Sequence, residues 1–127
     1  MQKRVIRTDQ APGAIGPYSQ GIEAGPWVFT AGQIGLDPET GDLADTIEAQ
    51  TARALGNIRA ILGAAGCGME RVVKTTVFLR DMGDFAAFNA VYAEMVGDPP
   101  PARSTVQVAG LPKAALVEIE AVAWREG

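Results

Sequence analysis

The sequence predicts an α+β domain in which two helices pack on one face of a mainly antiparallel or mixed β-sheet. Six short segments rich in β-branched and aromatic residues are typical of strands, and two longer segments place apolar residues at helical spacing. Their order, β-β-β-α-β-α-β-β, mixes the two kinds of element. With 127 residues, of which 47% are hydrophobic, the chain can bury one core but not two. We therefore assign residues 1–127 to a single domain.

The first three predicted strands lie in the amino-terminal third of the chain. They are Lys3–Ile6, Gly21–Ala24 and Trp27–Ala31, the last with the aromatic and β-branched sequence WVFTA, which strands favour. A segment rich in glycine and proline, APGAIGPYSQG, leads into the second strand. The turn-rich sequence DPETGD, residues 37–42, is expected to reverse the chain after the third.

The first helix follows that turn. Asp45 is the expected N-cap, with Glu48 three residues later completing a capping box. Gly66 stands where a left-handed residue ends a helix. Between these ends, apolar and small residues recur on one stripe and are expected to face the core: Ile47, Thr51, Ala54, Leu55, Ile58, Ile61, Leu62 and Ala65.

The second half of the chain is predicted to contain a strand, a helix and two closing strands. The strand is Val72–Leu79, the helix runs from about Asp84 to Val96, and the closing strands are Ala102–Val108 and Leu116–Trp124. The residues expected on the buried face of this second helix are Phe85, Phe88, Tyr92 and Met95.

Alternation along the closing strands predicts a sheet with a second apolar face. The small apolar residues Val117, Ile119, Ala121 and Ala123 suit packing against the helices. The opposite face is expected to carry Leu116, Glu118, Glu120, Val122 and Trp124, together with Arg103, Thr105 and Gln107 of the preceding strand. Two helices cannot cover both faces, and exposed apolar patches usually mark interfaces. We therefore expect a homo-oligomer, with Arg103 and Glu120 at a subunit boundary.

Composition restricts the function. Acidic residues outnumber basic ones, 15 to 11, for a net charge of −4, which disfavours nucleic-acid binding. No apolar run approaches membrane-spanning length, the first ten residues lack the apolar stretch of a signal peptide, and there is one cysteine, so we expect a cytoplasmic protein. Histidine is absent, so a Cys/His zinc site is excluded, and chemistry has to use carboxylates, arginine, hydroxyls, backbone groups and water.

The candidate functional residues have two interpretations each. Arg103 opens a β-branched strand, either to pair with a structural carboxylate or to bind a substrate carboxylate through its paired donors. Glu120 and Glu118 share one face, and periodicity does not separate them. Asn89 and Tyr18 are each as well explained by structural hydrogen bonding or packing. The residues alone predict an oligomeric α+β domain with a possible anion pocket.

Five segments together resemble the Rid family, also called YjgF, whose best-known branch is the RidA reactive-intermediate (enamine/imine) deaminases. The resemblance covers Pro12 to Ala123, with the motifs in the family's order and spacing. The segments are IGPYSQG (15–21), TAGQI (30–34), VVKTTVFLRDMGDFAAFNAVY (72–92), PPARSTVQV (100–108) and VEIEAVA (117–123).

This resemblance implies a chorismate-mutase-like fold assembled as a homotrimer, with clefts between neighbouring subunits. It also implies hydrolysis of 2-enamine and 2-imine intermediates, such as 2-aminoacrylate and 2-aminocrotonate, to a 2-keto acid and ammonia. No metal or organic cofactor is implied.

Matched position by position, the resemblance assigns roles to individual residues. Arg103 matches the arginine that binds the substrate carboxylate, and Glu120 matches the glutamate that positions the hydrolytic water. The remaining matches line the cleft: Tyr18, Gly32 and Asn89. Two substrate-binding positions depart from many RidA members, since Ala31 stands in place of serine and Thr105 in place of cysteine.

Three alternatives to the deaminase remain open at this point. The first is a non-catalytic trimer that binds 2-keto acids as a sensor. The second is an endoribonuclease or translation inhibitor, which the acidic balance and the missing histidines disfavour. The third is a chorismate mutase, suggested by fold alone.

Overall fold

The computed structural model describes residues 2–126, and the elements follow the predicted order. The strands are β1 (Lys3–Ile6), β2 (Gly21–Ala24), β3 (Trp27–Thr30), β4 (Val72–Leu79), β5 (Ala102–Gln107) and β6 (Val117–Trp124), and the helices are α1 (Ile47–Ala64) and α2 (Phe85–Met95). The predicted strand and helix ends agree with these bounds to within two residues. Over the described range, neither helix is long and apolar enough to cross a membrane.

One six-stranded mixed sheet forms the centre of the fold, with strand order β1-β2-β3-β6-β4-β5. Every neighbouring pair is antiparallel except β4 and β5, which run parallel. Helix α2 makes the connection between β4 and β5, as a parallel pair requires. Strand β5 therefore lies at one edge of the sheet, beside the helix that follows β4.

Helix α1 begins one residue later than predicted. The N-cap is Thr46, whose hydroxyl accepts a hydrogen bond from the backbone N–H of Ala49 at 3.1 Å. The prediction of Asp45 as the cap was wrong, because the two neighbouring residues are both good cap formers and sequence does not set their backbone angles. The predicted left-handed residue at the other end is confirmed, since Gly66 has φ +73°.

The core lies between the helices and one face of the sheet. All eight stripe residues predicted for α1 are buried, as are Phe88 and Tyr92 of α2, while Phe85 and Met95 pack at the edge of the same cluster. Strand β6 contributes the predicted small apolar side chains, Val117, Ile119, Ala121 and Ala123, each at most 2% exposed. The helices thus cover one face of the sheet, which confirms this part of the predicted architecture.

Strand β5 shows the clearest difference from the sequence prediction. Arg103 pairs with Thr75 of β4, and Thr75 pairs with Ala121 of β6, so all three side chains point to the helix-covered face. Glu120 is in register with Thr76 and Ser104 on the opposite face. The prediction that Arg103 and the glutamates share one face was therefore wrong. Alternation fixes which residues of a strand share a face, but only the register across strands fixes which face that is.

The opposite face of the sheet carries a large apolar patch and is not covered by a helix. Trp124 and Val122 lie there as predicted, although Leu116 precedes β6 and packs against the core. Five large side chains on this open face are between 38% and 50% exposed: Val5, Trp27, Phe29, Val106 and Trp124. A patch of this kind is typical of a surface that is buried in an assembly.

Candidate functional site

The guanidinium of Arg103 lies among aromatic rings of α2. Its central carbon is 4.8 Å from the ring centre of Tyr92, 5.4 Å from that of Phe88 and 5.5 Å from that of Phe85. None of the ion pairs found among residues 2–126 involves Arg103. Within these residues, the structural ion pair considered above for Arg103 is therefore excluded. The rings hold the cation in place by cation–π attraction without neutralising it.

A cavity of about 640 Å³ opens beside this cation, between the end of α2 and the start of β5. We call it the arginine cavity; its polar lining residues are Asn89, Tyr92, Asp98 and Arg103, and its other lining residues are Ala93, Val96, Gly97, Pro100 and Pro101. Asp98 forms no ion pair with Arg103. The structure therefore brings Asn89 and Arg103 together, as two of the residues predicted to bind substrate. The amide and the uncompensated guanidinium both donate hydrogen bonds, which suits a small carboxylate.

A second cavity, of about 280 Å³, contains Glu118 and two other predicted site residues. We call it the glutamate cavity; Tyr18 and Gly32 lie in its wall with Glu118 and Lys113. Gly32 makes room for the carboxylate, because a Cβ atom at this position would stand 2.8 Å from Cδ of Glu118. Tyr18 is exposed, and its hydroxyl accepts a hydrogen bond from the backbone of Ile15 at 3.3 Å.

Glu118 and Glu120 have different environments. Glu118 is half-buried, and burial together with the charge of Glu120 raises the pKa of the Glu118 carboxyl. Glu120 is exposed and lies outside both cavities. A half-buried carboxylate with a raised pKa beside a cavity has the properties of a proton acceptor and donor. The geometry therefore favours Glu118 over Glu120, the glutamate to which the family resemblance assigned the positioning of water and which periodicity alone did not separate from Glu118.

The two remaining predicted positions, Ala31 and Thr105, contact the site less directly. The backbone N–H of Ala31 donates to the carbonyl of Gln20 at 2.8 Å, next to Gly32. Thr105 lies on the same face of β5 as Arg103, and its hydroxyl is buried with no hydrogen-bond partner among the described residues. Neither residue lines either cavity.

The predicted site residues thus fall into two groups that do not meet within one protomer. Arg103 points to the helix-covered face of the sheet, and Glu118 and Glu120 point to the open face. Strand β4 separates β5 from β6. A single copy of the chain presents a cation-bearing cavity and a carboxylate-bearing cavity as separate surfaces.

The described residues offer neither a metal centre nor a reactive thiol. Over residues 2–126, no three acidic, cysteine or histidine side chains are placed to hold a metal ion. Cys67 is buried, and burial raises the pKa of its thiol, so the reactive thiolate is disfavoured.

Sequence reasoning missed the role of two cavity residues. Tyr92 was assigned only to the core, although the guanidinium of Arg103 lies over its ring. Lys113 was not among the predicted site residues, although it lines the glutamate cavity with an unusual backbone φ of +55°. The aromatic spacing of α2 was a signal for Tyr92, since a helix face rich in aromatic rings can hold a cation. No comparable signal marked Lys113.

Replacing Gly32 by alanine is expected to reduce any activity that depends on Glu118 while leaving the fold stable. The added methyl group would meet the flexible end of the Glu118 side chain, which can move away at little cost in folding free energy. Thermal unfolding and turnover of Gly32→Ala check this. Gly63→Ala is the matched control, because a Cβ atom at that helical position meets nothing within 4 Å. Full activity in Gly32→Ala would show that the carboxylate position is not critical.

Comparison with known proteins gives a consistent result over almost the whole chain. Residues 8–125 match the family model described as Endoribonuclease L-PSP. A RutC family protein of Pyrococcus horikoshii is 54% identical, covering 98% of this chain and 99% of its own. The 2-iminobutanoate/2-iminopropanoate deaminase of Salmonella typhimurium is 48% identical, covering 96% and 98%.

The solved structures agree. The crystal structure of Escherichia coli TdcF with bound serine superposes with a TM-score of 0.92, at 46% identity, covering 97% of this chain and 99% of that one. Sequence and fold therefore agree across the full domain: the chain belongs to the Endoribonuclease L-PSP family, which is the YjgF/RidA family.

Proposed function

We propose that this protein hydrolyses reactive 2-enamine and 2-imine intermediates, such as 2-aminoacrylate and 2-aminocrotonate, to 2-keto acids and ammonia. Some relatives in the family are named as deaminases of this type. The substrates share a carboxylate next to the C=N carbon, so the site needs a cationic anchor and a group that orients water.

The observation that carries the proposal is the uncompensated guanidinium of Arg103 beside Asn89 in the arginine cavity. A half-buried cation without a partner carboxylate is a costly arrangement, and a ligand carboxylate supplies the missing partner. Hydrogen bonds from a charged donor contribute about 1.5–3 kcal/mol. Because the imine carbon is bonded directly to the carboxylate carbon, binding of the carboxylate also holds the imine carbon at a fixed distance from Arg103, where water can add.

Glu118 takes the role of orienting that water in this proposal. After the enamine tautomerises to the imine, a water oxygen bonds to the imine carbon and gives one proton to the Glu118 carboxylate. The same proton then passes to nitrogen, which gives a carbinolamine with one hydroxyl and one amino group on the former imine carbon. The hydroxyl proton is next transferred through Glu118 to nitrogen, the C–N bond breaks, and ammonia leaves as the C=O bond forms. A positioned general acid–base of this kind contributes about 10²–10⁴-fold to the rate. No oxidant, metal or organic cofactor enters the balance.

The two cavities meet only if copies of the chain assemble, and we propose a homotrimer as their context. The support is the uncovered apolar face of the sheet and the placement of Arg103 on the edge strand β5. Cyclic assembly brings an edge of one copy against the open face of the next. Each cleft then combines the arginine cavity of one subunit with the glutamate cavity of its neighbour.

A coupled assay tests the proposal. A PLP-dependent threonine or serine dehydratase generates the enamine, and release of 2-oxobutanoate or pyruvate is followed with and without this protein. Acceleration above the spontaneous rate supports the deaminase. Binding of pyruvate without acceleration would instead favour a 2-keto-acid sensor. Cleavage of RNA by a nuclease-free preparation would favour the endoribonuclease that the family description names.

A further inference from the structure

Behind the wall of the arginine cavity lies a buried pair of hydroxyl groups that the proposed chemistry does not use. The hydroxyls of Thr75 and Tyr92 are 2.6 Å apart, and the two residues are 2% and 5% exposed. Thr75 is the register partner of Arg103 on the neighbouring strand β4. The hydrogen bond therefore joins helix α2 to the sheet directly beside the strand position that carries the cation.

The ring of Tyr92 is the closest of the three aromatic rings to the guanidinium, at 4.8 Å. Phe88 packs against it with ring centres 5.2 Å apart, so the tyrosine ring is fixed by packing on one side and by its hydroxyl at the tip. Packing alone could be supplied by phenylalanine. The hydroxyl fixes the orientation of the tyrosine ring. Any other ring orientation would leave this buried hydroxyl without a hydrogen-bond partner, at a cost in free energy larger than the gain from the bond itself.

A neutral aromatic ring has a chemical advantage over a carboxylate as the group that positions Arg103. A carboxylate would fix Arg103 more strongly, but it would also occupy the donors that a substrate carboxylate needs. An aromatic ring attracts the cation through its face and leaves the planar N–H donors available. Burial raises the pKa of Tyr92, so the phenol stays protonated and neutral beside the guanidinium at ordinary pH.

We propose that the Thr75–Tyr92 hydrogen bond positions Arg103, so that the affinity of the arginine cavity for carboxylates depends on this pair of hydroxyls. The inference rests on the proposed function in one respect, that Arg103 is the carboxylate anchor. Tyr92 and Thr75 act through Arg103 and are positioning residues.

The test is the affinity of the full-length protein for pyruvate, measured by calorimetric titration for wild type, Tyr92→Phe, Thr75→Val and the double variant. Loss of one ordinary hydrogen bond predicts a Kd about three- to tenfold higher for each single variant. The Kd of the double variant is expected to be no higher than the Kd of the single variant that binds less tightly, because both changes remove the same hydrogen bond. Thr75→Ser keeps a hydroxyl and is expected to stay close to wild type.

A matched control distinguishes the positioning role of the hydrogen bond from a general loss of stability. Thr51 is also fully buried, and its hydroxyl donates to the carbonyl of Ile47 at 2.7 Å within α1. Thr51→Val is expected to lower the melting temperature to a similar degree without changing the Kd for pyruvate. The Nε–H resonance of Arg103 in proton–nitrogen NMR supplies a second measurement, which should shift in Tyr92→Phe and not in Thr51→Val.

The outcomes distinguish this inference from the proposed function. A Kd for Tyr92→Phe equal to that of wild type, with binding lost in Arg103→Ala, would overturn the positioning role alone. Wild-type binding in Arg103→Ala would remove the anchor itself, and the positioning role with it. Weakened binding in Thr51→Val as large as that in Tyr92→Phe would assign the effect to general loss of stability and also overturn the inference.

Discussion

Replacing Arg103 by alanine is expected to lower kcat/KM in the coupled deaminase assay by about 10²-fold, to near the spontaneous rate. The guanidinium has no ion-pair partner among residues 2–126, so its removal deletes the charge-assisted hydrogen bonds to the substrate carboxylate and the contacts with the aromatic rings of α2, but no ion pair. Because the unbound imine hydrolyses without help, loss of positioning alone is enough to hide any acceleration by this protein.

Controls for this variant follow from its surroundings. Arg103→Lys keeps the charge but not the paired donors and is expected to recover only part of the activity. Arg59→Ala removes an exposed arginine of α1 and should be neutral. Light scattering has to show the same assembly for all of them. An Arg103→Ala protein with unchanged assembly and undiminished turnover would refute the anchoring role.

Replacing Glu118 by glutamine is expected to reduce kcat by about 10²–10⁴-fold, with a smaller effect on pyruvate binding. The amide can hold a water molecule but cannot take its proton. Glu120→Gln is the matched control, since the two residues lie two positions apart on the same face and only Glu118 lines a cavity. A large loss in Glu120→Gln with full activity in Glu118→Gln would reverse the assignment made here.

The same Glu118→Gln variant is expected to be more stable than wild type at neutral pH. Burial raises the folded-state pKa of Glu118 above its ordinary value of 4.5, so ionising this carboxyl costs the folded protein more than the unfolded chain. Its favourable contribution is complete below pH 4.5 and is lost as pH rises through the folded-state pKa. Glutamine does not ionise and avoids that loss.

Thermal unfolding at two pH values measures this effect. The difference in melting temperature between Glu118→Gln and wild type should be positive near pH 7 and should shrink below pH 4.5. A difference that is independent of pH would mean that the carboxyl is not destabilised by its site. Gain of stability together with loss of activity is typical of a functional carboxylate.

Much of the fold was predictable because its signals are local. The stripe of α1, the glycine at its end and the alternation of β6 depend on neighbours a few residues apart, and all three agree with the structure. The orientation of β5, in contrast, could not be predicted from local signals. It depends on the pairing of Arg103 with Thr75 across 28 positions, formed only once α2 has carried the chain back along β4.

The candidate site was predictable in its residue types more than in its geometry. The absence of histidine directed attention to arginine and carboxylates, and Arg103, Asn89, Tyr18 and Gly32 all line the two cavities or their walls. Alternation could not choose between Glu118 and Glu120, because residues two apart in a strand share a face. That choice depends on the space left by Gly32, a contact between distant segments.

The division of the site between two faces of one sheet has a genetic consequence. Two subunits that are each inactive, one lacking the guanidinium and the other lacking the carboxylate, still carry one intact half apiece. In the homotrimer proposed above, random mixing of such co-expressed chains would unite both intact halves in about one cleft in four. Interallelic complementation would then restore partial turnover that neither allele shows alone, whereas a centre confined to one polypeptide would give none.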